Sequence, residues 1–494
     1  MLDLTKIERS IDSFLALTEK EIYLNWAGLK EELNLSSIYE KYDWLFQKDL
    51  LLQVKSLMKR SSGEQKRKLT YILYFLTSGY LDNQVKDLTD KSQTLMSKLK
   101  VKLNGEEIPL RMVNVKIANE PNRTVRSKLF KAYIKTIDAQ VNPILEDRIS
   151  ILHEKTKELG FKNYLDLFSK VKLIDFKSLK EKLQPFLEKT AATYSIRMQE
   201  LLDKTVEIPL PEAEKHDISF LFRAKTYDKY FKEELLVESL EKTLSLMGLS
   251  IKSQKNIELD LEKRPLKSPR AFVATIQVPD DIKLVVKPKG GVDDFLAFFH
   301  EAGHAEHFAN TDPTLPIPYK RLGDNSVTEA YAFLIEYLII DEEWVRQFLK
   351  IPDIKDFLIL QYTYKLYFLR RYTAKLSYEI TLHSNGLSQA RKTYKQSLEK
   401  SLIFKHPEEL YLTDLDDELY CANYLRAWIL EAQLRNYLIE SFGRKWWIKK
   451  EAGEFLVKLW SQGQKYNAEE IAKQLGYTGI DPSYLEREIR SILE

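Results

Sequence analysis

Phe298-Phe299-His300-Glu301-Ala302-Gly303-His304-Ala305-Glu306-His307 places an H-E-x-x-H pattern inside a run whose apolar residues recur at helical spacing. On a helix, His300 and His304 leave the same face one turn apart, so their imidazoles can share one ion. Glu301 lies between them, able to reach a water on that ion without being a ligand, which is the place of a general base. With 7 His in 494 residues, chance gives the pattern in about one chain in a hundred of this composition. Chance predicts nothing further, whereas a catalytic zinc site predicts a third protein ligand and one position left open.

The metzincin extension requires Gly three residues beyond His304 and His six beyond it, but those positions hold His307 and Asn310. The gluzincin arrangement takes a Glu from a second helix instead. Asn325 to Glu336 supplies Glu329 and Glu336, seven apart on one face. Ser326 and Glu329 also spell a capping box, which starts many helices and binds nothing. Following an H-E-x-x-H helix, Glu329 is read as the third ligand and Glu336 as a partner orienting one of the histidines. His307 is read either as a neighbour of the ligands, as a substrate contact, or as a structural histidine.

The expected cofactor is therefore one zinc ion per chain, held by His300, His304 and Glu329, with Glu301 as base.

Composition narrows the remaining classes. Lys+Arg 76 against Asp+Glu 73 leaves a formal charge of +3, so no global field argues for nucleic acid or a membrane surface. A single cysteine, Cys421, excludes an internal disulfide framework and suits a reducing compartment. The first residues carry scattered charge and no signal-peptide core. The most apolar run, Tyr331 to Ile340, is interrupted by Glu336 and is too short to span a bilayer. These features predict a cytoplasmic protein.

Gly and Pro number only 16 each, which favours long helices. Residues 1–165 read as a helical N-terminal part, with Asn104-Gly105 marking a small hairpin near 101–110. His153 falls on a helix surface. Residues 166–494 read as the catalytic part, and the whole of 1–494 as one intertwined helical unit. Alternation over 271–278 and 282–287 predicts two strands joined at Pro279-Asp280-Asp281. Lys289-Gly290-Gly291 then turns the chain into the metal helix, with Asp293 or Asp294 as its cap. Gly303 costs roughly 1 kcal/mol against Ala in a helix, so it marks a close approach by a backbone, a bound peptide or a packing neighbour.

Phe299-His300-Glu301-Ala302-Gly303-His304-Ala305-Glu306-His307, the Glu329 and Glu336 pair, and Tyr420-Cys421-Ala422-Asn423-Tyr424-Leu425-Arg426-Ala427-Trp428 together resemble the thimet oligopeptidase and oligoendopeptidase F family of zinc peptidases. Looser similarity runs through Arg148 to Tyr164, Phe442-Gly443, Gly463 and Leu475-Gly476-Tyr477. The resemblance implies a mainly α, two-lobed fold with a deep central channel and a small β-sheet beside the zinc helix, its edge strand binding substrate backbone. It also implies hydrolysis of short unstructured peptides, with Tyr424 or Tyr420 donating to the oxyanion. The family's glycine-rich loop before those tyrosines is replaced here by Tyr411 to Leu419. Two other functions fit parts of the pattern. A carboxypeptidase would need a cation such as Arg426 or Arg435 for the terminal carboxylate, and a silent peptide-binding scaffold would need no base.

Overall fold

The computed structural model describes residues 2–103 and 105–494. The fold is mainly α, and among the described residues the strands form two small sheets. No helix among them is long and apolar enough to cross a membrane.

The chain divides into two compact units, each drawn from three segments. One comprises Met1–Gly79, Thr226–Ile354 and Arg426–Leu485; the other comprises Tyr80–Lys225, Lys355–Leu425 and Glu486–Glu494. No boundary falls at residue 165. The first 79 residues belong with the H-E-x-x-H segment because the N-terminal helix, α1 (Leu4–Trp26), packs on the sheet beside it.

The second unit holds the hairpin of β1 (Lys100–Leu103) and β2 (Glu106–Pro109), paired Val101 to Ile108 and Leu103 to Glu106. Gly105 sits at its turn with φ +84°, while Asn104 lies outside the described residues. His153 departs from the surface position expected of it. Its Nε2 lies 3.0 Å from His383 Nδ1, and the His383 ring stacks on Tyr164.

In the first unit, β3 (Ile257–Asp260), β4 (Phe272–Gln277) and β5 (Asp281–Val285) form a sheet ordered β3-β5-β4. β3 runs parallel to β5 and β4 antiparallel to it, so β4 is an edge. Strands β4 and β5 match the alternating stretches; β3 is only four residues long and gives no readable alternation. Phe272, Ala274 and Ile276 alternate onto one face and bury against Tyr23, Ala27 and Leu24 of the α1 region.

Helix α2 (Val292–Ala309) carries the H-E-x-x-H residues and packs against β4 and β5. Its N-cap is Gly291 at φ +95°, and Asp228 accepts the Val292 N–H at 3.2 Å. Neither aspartate of the first turn caps the helix as the sequence suggested. Asp294 turns back instead, accepting the N–H groups of Lys289 and Gly290 at 2.8 and 3.0 Å.

Helix α3 (Asn325–Glu336) lies against α2 along its length. Gly303 makes that possible: a Cβ built there would fall 2.6 Å from Ala332 Cα and 2.8 Å from the Tyr331 carbonyl oxygen. The close partner of Gly303 is thus the backbone of α3.

Gly303→Ala must push the two helices apart, at a cost of about 1–3 kcal/mol typical of an overpacked core. A lowered thermal midpoint together with weakened zinc binding is the expected result. A second prediction concerns acid. Burial, with Lys157 adding to it, pulls His153 from its ordinary 6.5 down to about 4, and burial pulls His383 down as well. The folded state favours the neutral rings, so their contribution is complete above about 6.5 and is lost as pH falls toward about 4. Thermal midpoints measured across that window should fall, and fall less steeply in His153→Gln.

Candidate metal centre

The close approach of α2 and α3 brings His300, His304 and Glu329 together, with one donor atom from each within 4.8 Å of the others. Glu329 Oε2 lies 3.3 Å from His300 Nε2 and 3.6 Å from His304 Nε2. The edge of a tetrahedron with metal–ligand bonds of 2.0–2.1 Å is about 3.3–3.4 Å. A charge-assisted hydrogen bond would close to about 2.7–2.9 Å. The observed spacings fit donors arranged around an ion better than donors bonded to each other.

Both imidazoles are aimed by partners on α3. His300 Nδ1 lies 2.8 Å from Glu336 Oε2, and His304 Nδ1 lies 2.8 Å from Thr328 Oγ1. With Nδ1–H donating to these oxygens, each Nε2 is left facing Glu329, where a lone pair could be given to an ion between them. Glu336 thus stands where the sequence placed it, beside a histidine. Thr328 was not singled out, although its position next to Glu329 in a helix is the signal that could have found it.

The start of α3 is fixed from outside the helix. Asp324, not Ser326, is its N-cap, accepting the Ser326 N–H at 2.9 Å. The Ser326/Glu329 capping box does not form. Buried Arg426 donates to Asp324 Oδ2 and Ser326 Oγ, both at 2.7 Å, and also pairs with Glu469. Arg435 pairs with Glu431 at 2.6 Å. Arg426 and Arg435 are therefore both engaged by internal carboxylates.

The local field favours positive charge. Burial works to raise the Glu329 carboxyl, yet the two imidazoles hold it well below the usual carboxylate range. Burial works to lower His300, yet Glu329 and Glu336 raise it well above its ordinary value. The His300 side chain remains 18% exposed, so solvent reaches the centre. Glu301 is bonded to the edge of the sheet, accepting the Val273 N–H at 2.9 Å on Oε2. Burial pushes its carboxyl upward, opposed by the nearby charges of His304 and His300.

His307 takes a structural partner. His307 is fully buried, its Nε2 donates to the Gly463 carbonyl at 3.2 Å, and its ring meets Tyr331. Burial lowers it to about 3. Tyr420 and Tyr424 belong to the second unit, where their rings meet edge to face at 5.2 Å and Tyr424 also meets Tyr372.

A second trio, Glu379, Asp416 and Cys421, has metal-compatible spacing in that unit. There the cation is already present, because Lys375 Nζ lies 2.7 Å from Asp416 Oδ1 and 4.0 Å from Glu379 Oε1. Burial pushes Glu379 up to about 8 and Cys421 well above its ordinary value, and the thiol donates to Glu379 at 3.1 Å. These are poor ligands at neutral pH.

Compared with known proteins, the chain matches no family model and no curated sequence.

If α3 aims the ligands as described, Glu336→Ala and Thr328→Val should each weaken zinc affinity about 10–100-fold while leaving the far-ultraviolet circular dichroism unchanged. Competition with a chromogenic chelator measures this directly.

Proposed function

We propose that the chain is a zinc-dependent metallopeptidase of the oligoendopeptidase type, cleaving peptide bonds within short unstructured peptides in the cytoplasm. The observation that carries the reading is the convergence of His300, His304 and Glu329 at near-tetrahedral spacing, with Glu301 next in sequence to the first ligand. The similarity of Phe299 to His307 to the thimet oligopeptidase and oligoendopeptidase F pattern supports it.

His300 Nε2, His304 Nε2 and Glu329 Oε2 would hold a zinc ion, which would supply Lewis acidity toward a peptide carbonyl and a water molecule near neutral pH. Glu301 takes a proton from the attacking water onto its carboxylate and later passes it to the nitrogen of the departing amine. Glu336 and Thr328 keep the Nδ1 atoms occupied, so the ring orientation survives each turnover.

A scaffold that kept zinc only for stability has no use for a base and would close its fourth position with another side chain. Arg426 and Arg435, two of the many cations that a carboxypeptidase could have used, are engaged by internal carboxylates.

Elemental analysis of the purified chain should give one zinc, and a mixed peptide library read by mass spectrometry should show internal cleavage. Glu301→Gln should retain the zinc while turnover falls about 10²–10⁴-fold. Undiminished turnover in that variant would remove Glu301 from its role.

A further inference from the structure

A cavity of about 180 Å³ lies in the second unit, walled by residues 89–96 of the helix Gly63–Lys98, by the helix Asn142–Glu158 and by residues 412–417. Met96, Leu145, Ile149, Leu412 and Leu415 make much of its lining apolar. Arg148 and Asp417 are the only charged residues among the described residues of the lining, and they form a bidentate pair, Nη1 to Oδ1 and Nη2 to Oδ2, both at 2.8 Å. The pair is not saturated. A guanidinium has five N–H groups; with the Arg148 Nε–H on Thr89 Oγ1 at 3.0 Å, three are spent and two have no acceptor among the described residues. The Arg148 side chain is only 11% exposed, so water answers those donors poorly, whereas Asp417 is 51% exposed and keeps lone pairs to spare. The wall is also rigid. Glu418 and Leu419, directly after Asp417, hold φ of +58° and +53° without being glycine, a conformation that persists only where the surroundings over-determine it. Arg148 on Asp417 does so, together with the Tyr164 hydroxyl, which accepts the Glu418 N–H at 3.2 Å.

We infer that this cavity binds a free apolar α-amino acid, its carboxylate on the unspent N–H groups of Arg148, its ammonium on Asp417, and its side chain among Met96, Ile149, Leu412 and Leu415. Volume sets the upper limit on size. The space equals about six waters of liquid and falls short of the roughly 300–1,000 Å³ of pockets for drug-sized ligands. The fixed pair of opposite charges sets the head group, since a zwitterion answers both ends while an amine or an acid alone leaves one unanswered. Free amino acids are what exhaustive peptide hydrolysis yields, but the site stands without the peptidase reading.

Free leucine is the probe, titrated calorimetrically into the zinc-loaded full chain beside leucinamide, which lacks the carboxylate, and isocaproate, which lacks the ammonium. Leucine should bind saturably by millimolar concentrations, and each analogue should bind weaker by a factor of about ten or more, as expected for one lost charge-assisted hydrogen bond. Asp417→Asn should bring leucine down to the level of isocaproate while leaving isocaproate unchanged. Leu415→Trp, which fills the apolar side, should abolish leucine binding. Thermal midpoints and zinc content show whether each variant is folded, and if either is not, the three wild-type titrations decide alone. No saturable leucine binding by the wild type, or equal binding of all three ligands, would overturn the inference. So would wild-type leucine affinity in folded Leu415→Trp, which would place the leucine at the metal centre or elsewhere, or in folded Asp417→Asn.

Discussion

The distance between the backbones of α2 and α3 at Gly303 governs the rest of the site. A side chain there would meet Ala332 Cα and the Tyr331 carbonyl well inside van der Waals contact, so only glycine permits the approach. That approach brings Glu329 within 3.3 and 3.6 Å of two imidazole nitrogens on the facing helix. Because α3 also carries Glu336 and Thr328, one helix supplies the third donor and both groups that aim the first two. The geometry is set by two rigid elements in contact rather than by long flexible side chains, which is how a site keeps its donors within a fraction of an ångström.

Charge follows from the same arrangement. A buried carboxylate between two imidazoles, with a second carboxylate behind one of them, makes a point where positive charge is favoured and the donor set matches zinc. The contrast with Glu379, Asp416 and Cys421 shows why proximity of ligand-type residues is insufficient. There a lysine ammonium neutralises the cluster from within, and burial keeps the thiol protonated. The interior of α2 makes a similar distinction. His307 resembles the ligands in sequence, but its face of the helix turns to the Gly463 turn, where its Nε2 is used as a structural donor.

Much of this was legible in the residues because helical periodicity is a local property. The spacing of His300 and His304, the placement of Glu301, and the same-face relation of Glu329 and Glu336 follow once two helices are granted. Strands β4 and β5 were readable for the same reason, through alternation. What could not be read depends on partners distant in sequence. The capping of α2 by Asp228 and Gly291, and of α3 by Asp324 with Arg426, displaced the nearer aspartates and the Ser326 box that local rules favour. Glu301 is held by a backbone N–H 28 residues away, a contact with no side-chain signature. The placement of His153 beside His383 joins residues 230 apart, and the membership of α1 in the unit of the metal helix depends on packing against β4 that periodicity alone does not specify.

X-ray absorption at the zinc edge, on the chain loaded with one equivalent and dialysed, tests the central claim most directly. The predicted result is a retained, stoichiometric ion with a first shell of light atoms at about 2.0–2.1 Å, two of them imidazoles, and loss of one imidazole signature in His304→Ala. Failure to retain zinc, or a first shell containing sulfur at about 2.3 Å, would contradict it.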